Sequence, residues 1–171
     1  MDFEEYARRQ LPMLLRTARA VSGDAKLAED MVQDVLLKVH ARWASISVMD
    51  APDAYVRRML LNDFLSWRRK WARLIPHADP MRAADWRAGE HRDHASAFAE
   101  RDAILREVRK LPARQGAVIG LRYFLELDDA QIADLLGCAR STVRVHAARA
   151  LAALRVSHAR TSPTEKGVAT P

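Results

Sequence analysis

The sequence predicts an all-α protein of two small helical domains joined by a flexible linker, the C-terminal domain containing a helix-turn-helix. Three observations predict it. Apolar residues recur at three- and four-residue spacing through most of the chain, and no stretch alternates with the period of two that a half-buried strand requires. That pattern dissolves between residues 74 and 97, where two prolines and mixed charges interrupt it. Residues 128–155, DDAQIADLLGCARSTVRVHAARALAALR, then set two apolar stripes either side of a glycine, the pattern of a tight helix pair.

The elements follow in order. A first helix over residues 2–21 turns Phe3, Tyr6, Ala7, Leu11, Leu14, Leu15 and Ala18 inward. Pro12 starts or kinks it, because an interior proline removes one backbone hydrogen bond and crowds the preceding turn. Ser22, Gly23 and Asp24 break the chain, and Asp24 caps what comes next. Leu27, Met31, Val35, Val39 and Trp43, flanked by Ala28, Val32 and Leu36, define the second helix. Asp50 and Pro52 announce a third, proline being well tolerated in a first turn. Its inner or groove-facing side carries Val56, Met59, Leu60, Phe64, Trp67 and Trp71.

These helices make a first domain over residues 1–73. The linker, 74–97, has a coil span of roughly 25–30 Å and reaches about 80 Å when stretched. Sites one or two turns of duplex apart, at roughly 34 Å per turn, are then within reach of both domains. The second domain, 98–157, turns Ala103, Ile104, Val108 and Leu111 inward, and Pro112 restarts the chain. Val118, Ile119, Leu121, Tyr123, Phe124 and Leu127 lead into the helix pair. There Ile132, Ala133 and Leu136 line a short helix, and Gly137 supplies a turn tolerant of positive φ. Val143, Ala147, Ala150, Leu151 and Leu154 line the next helix. Ala133 is small because steeply crossed helices approach closely. The tail, 158–171, is polar with two prolines and is expected to be disordered.

Charge narrows the function. The net +6 is unevenly placed: −1 over residues 1–50, +4 over 51–75, −1 over 76–97, −1 over 98–136 and +5 over 137–171. Two short segments thus carry the excess, the electrostatic footprint of nucleic-acid binding. In the second of them Arg140, Ser141, Arg144 and Arg149 lie off the apolar stripe, where arginine pairs with guanine edges or phosphate in a major groove. In the first, Arg57, Arg58, Arg68, Arg69, Lys70 and Arg73 alternate with Tyr55, Phe64, Trp67 and Trp71. Basic residues track phosphates and aromatic faces stack on unpaired bases, so this helix suits melted DNA. For any single ring, core is the better reading of the sequence, and the stacking role rests on the combination of rings with basic residues.

Other classes are disfavoured. The acidic, charged start MDFEEYARRQ differs from a secretory signal, and no apolar run approaches the roughly 18 residues of a membrane span. Cys138, the single cysteine, has no disulfide partner, and no Cys/His spacing marks a zinc site. A cytoplasmic protein with no cofactor and no metal is expected. A metal-dependent enzyme would have to rely on Glu90, His91, Asp93 and His94, which fall in the linker, away from the rigid shell a catalytic site needs. A stand-alone helix-turn-helix regulator would explain residues 128–155 and leave the basic-aromatic helix without a role.

The combination resembles a bacterial sigma factor of the extracytoplasmic-function type, from Phe3 to Arg155. AEDMVQDVLLKVHARW, residues 28–43, is similar to the family's helix that docks on RNA polymerase core, with Asp30, Gln33 and Asp34 matching its acidic and glutamine positions. AYVRRMLLNDFLSWRRKWAR, residues 54–73, resembles the part that reads the minus-ten element and melts the promoter. Asn62 falls where the family often has an asparagine near its base-reading loop. Residues 111–155 resemble the domain that reads the minus-thirty-five element.

The resemblance implies a non-enzymatic promoter-recognition factor. Its partners would be the beta and beta-prime subunits of the polymerase core, promoter DNA as duplex and as single strand, and an anti-sigma factor as a candidate restraint. Arg57, Arg58, Asn62, Trp67, Arg68, Arg69 and Lys70 would serve the minus-ten contact, and Arg140, Ser141, Thr142, Arg144 and Arg149 the upstream one. Two departures bear on promoter preference: Ser66 stands where many relatives carry aspartate, and Val145 with His146 replaces a more usual polar-basic pair.

Overall fold

The computed structural model describes residues 1–74 and 104–161, and every element among them is helical. Helix α1 (Phe3–Ser22) starts where Asp2 Oδ1 accepts the Glu5 N–H at 2.8 Å. It ends on Gly23, at φ +67°, whose N–H donates to the Arg19 carbonyl at 2.8 Å. Glu4 and Glu5 in the first turn and Arg19 in the last complement the helix dipole. Pro12 lies on the exposed face inside α1, and the helix continues past it. Burial of Tyr6, Leu14 and Ala18 on the inner face outweighs the single lost hydrogen bond.

Asp24 caps α2 (Ala25–Ala41), its Oδ1 accepting from Leu27 N–H at 2.7 Å. The short α3 (Trp43–Ile46) then turns the chain into α4 (Pro52–Leu74). Tyr6, Leu14, Ala28, Val32, Val35, Val39, Val56 and Leu60 close one core among these helices. Two expected inward positions depart from it. Leu11 is 39% exposed, on the open side of the α1–α2 groove. Ile104 is 54% exposed, because the cluster of Val108, Leu111, Ile119 and Ala150 closes one turn short of it.

The second half comprises α5 (residues 104–110), α6 (Ala113–Phe124), α7 (Asp129–Leu136) and α8 (Arg140–Thr161). The expected linker beyond Leu74, with Phe98 and Ala103, and the end of the expected tail lie outside the described residues. Helix α8 itself runs to Thr161, past the boundary at 157 that composition suggested.

The two halves share a core. Val21 of α1 and Leu61, Phe64 and Leu65 of α4 pack with Ala117, Val118 and Leu121 of α6, with Ile132, Ala133 and Leu136 of α7, and with Val143 and Ala147 of α8. Helices α1 and α6 meet almost backbone to backbone: a Cβ on Gly120 would lie 2.0 Å from the Ala20 carbonyl oxygen. An Asp24–Arg109 ion pair at 3.7 Å crosses the same boundary.

Candidate nucleic-acid interface

The helix pair α7–α8 is built from local rules. Asp128 Oδ1 accepts from Ala130 and Gln131 N–H at 2.8 and 2.9 Å, while Gln131 Oε1 accepts the Asp128 N–H at 3.0 Å, a reciprocal capping box. Gly137 ends α7 at φ +61°, its N–H donating to the Ala133 carbonyl. Buried Val143, Ala147 and Ala150 hold α8 against the domain. That seating leaves Arg140, Ser141, Arg144 and Arg149 exposed, with Thr142 half-buried among them.

Two acidic-basic contacts here were not legible in the sequence. Arg144 Nε donates to Asp129 Oδ2 at 3.2 Å, and Arg122 pairs with Asp129 Oδ1. Desolvation works the other way, yet Arg144 and Arg122 together hold the Asp129 carboxyl below its ordinary range. Only the i, i+15 and i, i+7 separations show in the sequence, and neither is a helix-neighbour spacing. His146 is half-buried with its Nδ1 unpartnered. Burial, then the charges of Arg114 and Arg149, push its pKa down, so the imidazole is neutral at pH 7.

Helix α4 divides its predicted residues between two faces. Arg58, Asn62, Arg69 and Arg73 recur at helical spacing on the exposed side, with half-buried Ser66 accepting from Arg69 Nη2 at 3.1 Å. Lys70 is exposed beside them. Arg57 is half-buried, its Nε reaching the Asp53 carbonyl at 3.4 Å. Trp67 is half-buried, 6.3 Å from Phe64 and 6.1 Å from Trp71 between ring centroids, and it packs on the shared core. Arg68 departs most from the sequence expectation. It is 7% exposed and donates to the carbonyls of Arg109 at 3.2 Å and Leu111 at 2.7 Å. Arg58 Nη2 likewise donates to the Asp134 carbonyl at 2.8 Å.

The start of α4 is tied to α1. Gln10 Nε2 donates to Asp53 Oδ2 at 2.7 Å and Arg9 lies 3.6 Å from Oδ1. Burial and the neighbouring Asp53 push the Tyr6 phenol up to about 12.

Elsewhere in the first domain, Gln33 lines an apolar groove of about 470 Å³ between α1 and α2, with Phe3, Ala7, Leu11, Leu15 and Leu36. Asp34 is exposed, and half-buried Asp30 pairs with Lys26 at 3.7 Å. Leu37, 63% exposed, lies at the groove and was absent from the predicted docking residues. Among the described residues no cluster of three or more His, Cys, Asp or Glu could hold a metal. Glu90, His91, Asp93 and His94 lie outside them. No described helix is long and apolar enough to cross a membrane.

Comparison with known proteins adds independent findings. Residues 6–74 match the family model described as Sigma-70 region 2, and residues 101–154 that described as Sigma-70, region 4. The chain is 31% identical to the RNA polymerase sigma-E factor of Streptomyces avermitilis over 91% of its own length and 84% of that protein. It is 30% identical to the ECF RNA polymerase sigma factor SigM of Mycobacterium tuberculosis, covering 89% of this chain and 74% of that one. A solved structure of the sigma factor RpoE in complex with the anti-sigma factor NepR from Bartonella quintana covers 94% of this chain and 99% of its own, at a TM-score of 0.64 and 25% identity.

Proposed function

The chain belongs to the sigma-70 family, as a sigma factor of the extracytoplasmic-function type, and from that premise we propose which of its surfaces carries each step. It is a transcription initiation factor, not an enzyme: it directs RNA polymerase core to specific promoters and binds DNA. The first domain, 1–73, holds core through Asp30, Gln33 and Asp34 on α2. The α4 residues Arg57, Arg58, Asn62, Trp67, Arg68, Arg69 and Lys70 take the minus-ten element. The second domain, 98–157, lays Arg140, Ser141, Thr142, Arg144 and Arg149 against the upstream duplex.

One observation carries this reading. An outward row of arginines on a capped helix-turn-helix stands in the same chain as a polar-basic row on α4, with an acidic helix beside them. Duplex contacts by Arg144 and Arg149 select and position, whereas α4 favours the melted state by binding single strands more tightly than duplex. Strand opening is then a shift in population, with no bond made or broken in the protein. A regulator acting without polymerase gives residues 6–74 no role, and those residues match Sigma-70 region 2.

The workplace is the cytoplasm, where core polymerase and promoters are. Restraint by a separate anti-sigma factor is part of the proposal, supported by the solved relative's complex with NepR. Run-off transcription with core polymerase on a promoter pool tests the whole reading. Initiation from a defined subset is expected. If the protein neither binds core nor directs initiation, the assignment of these surfaces fails.

A further inference from the structure

The outward face of α8 is not all polar. Val143, Ala147 and Ala150 are buried and share one side of the helix. At roughly 100° per residue, Val145 lies roughly 200° round from Val143, on the side turned away from the domain. It is 46% exposed. Its neighbours on that side, Ser141, Ala148 and Ala152, are exposed and small, so the two methyls of Val145 are the tallest apolar groups there. Arg144 and Arg149 lie to either side of it, both exposed.

Folding gives no reason for a valine at this position. A β-branched side chain forms helix less well than alanine, and Val145 joins none of the three core clusters among the described residues. A single exposed valine is ordinary on a surface. This one stands in the second turn of α8, at the centre of the face that would come nearest the base edges if the helix lay in a major groove. Small Ser141 and Ala148 beside it leave room for that approach.

We propose that Val145 is a specificity-determining residue that reads the 5-methyl group of a thymine in the upstream duplex. This rests on α8 being the duplex face. Valine has no donor or acceptor, so it is blind to the hydrogen-bonding pattern by which bases are told apart in the major groove. The one apolar feature on that side of a base pair is the thymine methyl. Discrimination then has two parts. Thymine buries its methyl against the isopropyl group, which gains apolar contact. Cytosine or adenine would bring an amino donor against the same carbon atoms and lose its bond to water without replacement. The arginines on either side supply phosphate or guanine contacts, and Val145 supplies the choice of base between them.

Methyl deletion in the DNA tests this directly. A promoter that the run-off assay yields is randomised over its upstream element and selected by the full chain bound to RNA polymerase core. Each thymine of the selected element, on either strand, is then changed singly to uracil, which removes the methyl and keeps every hydrogen-bonding group of the pair. One position is expected at which uracil weakens binding about fourfold, the worth of one buried methyl. Val145→Ser, which keeps Cβ and loses both methyls, should bind the thymine and uracil duplexes alike. Val145→Thr keeps one methyl and should recover part of the difference. Both substitutions fall on an exposed face, where stability changes little, so the parent's melting temperature is expected. A merely structural role for Val145 would change affinity for the two duplexes equally.

A selected element without thymine, uracil tolerated at every position, or an equal uracil effect in the parent and in Val145→Ser would each overturn the proposal. In all three cases an element has still been selected, so the wider reading of α8 stands. A pool from which no upstream preference emerges would count against α8 as the duplex face, and would take the assignment of Val145 with it.

Discussion

Arg144 is 71% exposed on its side chain, yet its Nε is held by Asp129. A long side chain tethered at rest loses less rotamer freedom when it binds, so Asp129 presets the arginine proposed for the upstream duplex. Replacing Arg144 by alanine should relax upstream-element preference by about 1–3 kcal/mol, the worth of one good base contact. Selection from a randomised upstream element, compared between the two proteins, reads this. Unchanged preference would remove Arg144 from the base-reading set.

His146 carries a pH effect whose direction is fixed. Its folded pKa is lowered by burial, then by Arg114 and Arg149, so protonation favours the unfolded chain. The stability involved is complete above the unfolded value of about 6.5. It is lost as pH falls through the lower folded value. Melting temperature should therefore drop between pH 7 and pH 5.5 in the parent, and His146→Gln should flatten that slope. An equal slope in both proteins would assign the effect elsewhere.

At the scale of elements, α7 is the most locally determined. Asp128 takes part in four of its hydrogen bonds: two to its side chain, one from its own N–H to Gln131 and one from the Ile132 N–H to its carbonyl. Asp128→Ala should cost about 1 kcal/mol by losing the cap. Gly137 sits at φ +61° with nothing within 4 Å of an added Cβ, so Gly137→Ala meets only backbone strain. That strain is of order 1–2 kcal/mol. Urea unfolding measures both. A loss at Gly137 far beyond this would mean a contact that the open space around it does not contain.

Such helices are legible because their signals are short-range: a cap three residues from its partner, a stripe every three or four, a glycine past the end. Asp24 and Gly137 act as the sequence leads one to expect, and Asp128 caps α7 by the same short-range rule. Pro12 was harder to place, because its cost is local and what outweighs it, burial of Tyr6 and Leu14, depends on helices that follow. Exposure was harder still. Leu11 and Ile104 have the right spacing to be core, but their neighbours stop short of covering them.

At the scale of the whole molecule, the joint core makes the two domains depend on each other. Phe64, on α4, is 1% exposed and packs into a cluster that includes Leu121, Ile132 and Val143 of the second domain. Phe64→Ala should cost about 3–5 kcal/mol. The loss should appear in both domains as a single lowered thermal transition. Two separate transitions, with only the first one shifted, would show that the domains fold without each other's support.

The sequence by itself determined the long helices, the Asp24 cap and the Gly137 turn, the two concentrations of positive charge and the order of three family-like segments. Each of these depends on residues near in the chain or on composition, and periodicity reports both. Only the tertiary structure decided that Arg68 is buried, that Arg58 meets the end of α7, that Asp129 holds Arg144, and that Gly120 lies against Ala20. These partners stand 15 to 100 residues apart, as Asp129–Arg144 and Ala20–Gly120 do, and no local pattern encodes which helix end an arginine will reach. An arginine donates equally well to a phosphate and to an unpaired helix carbonyl, so its residue type fixes the chemistry and the fold chooses the acceptor.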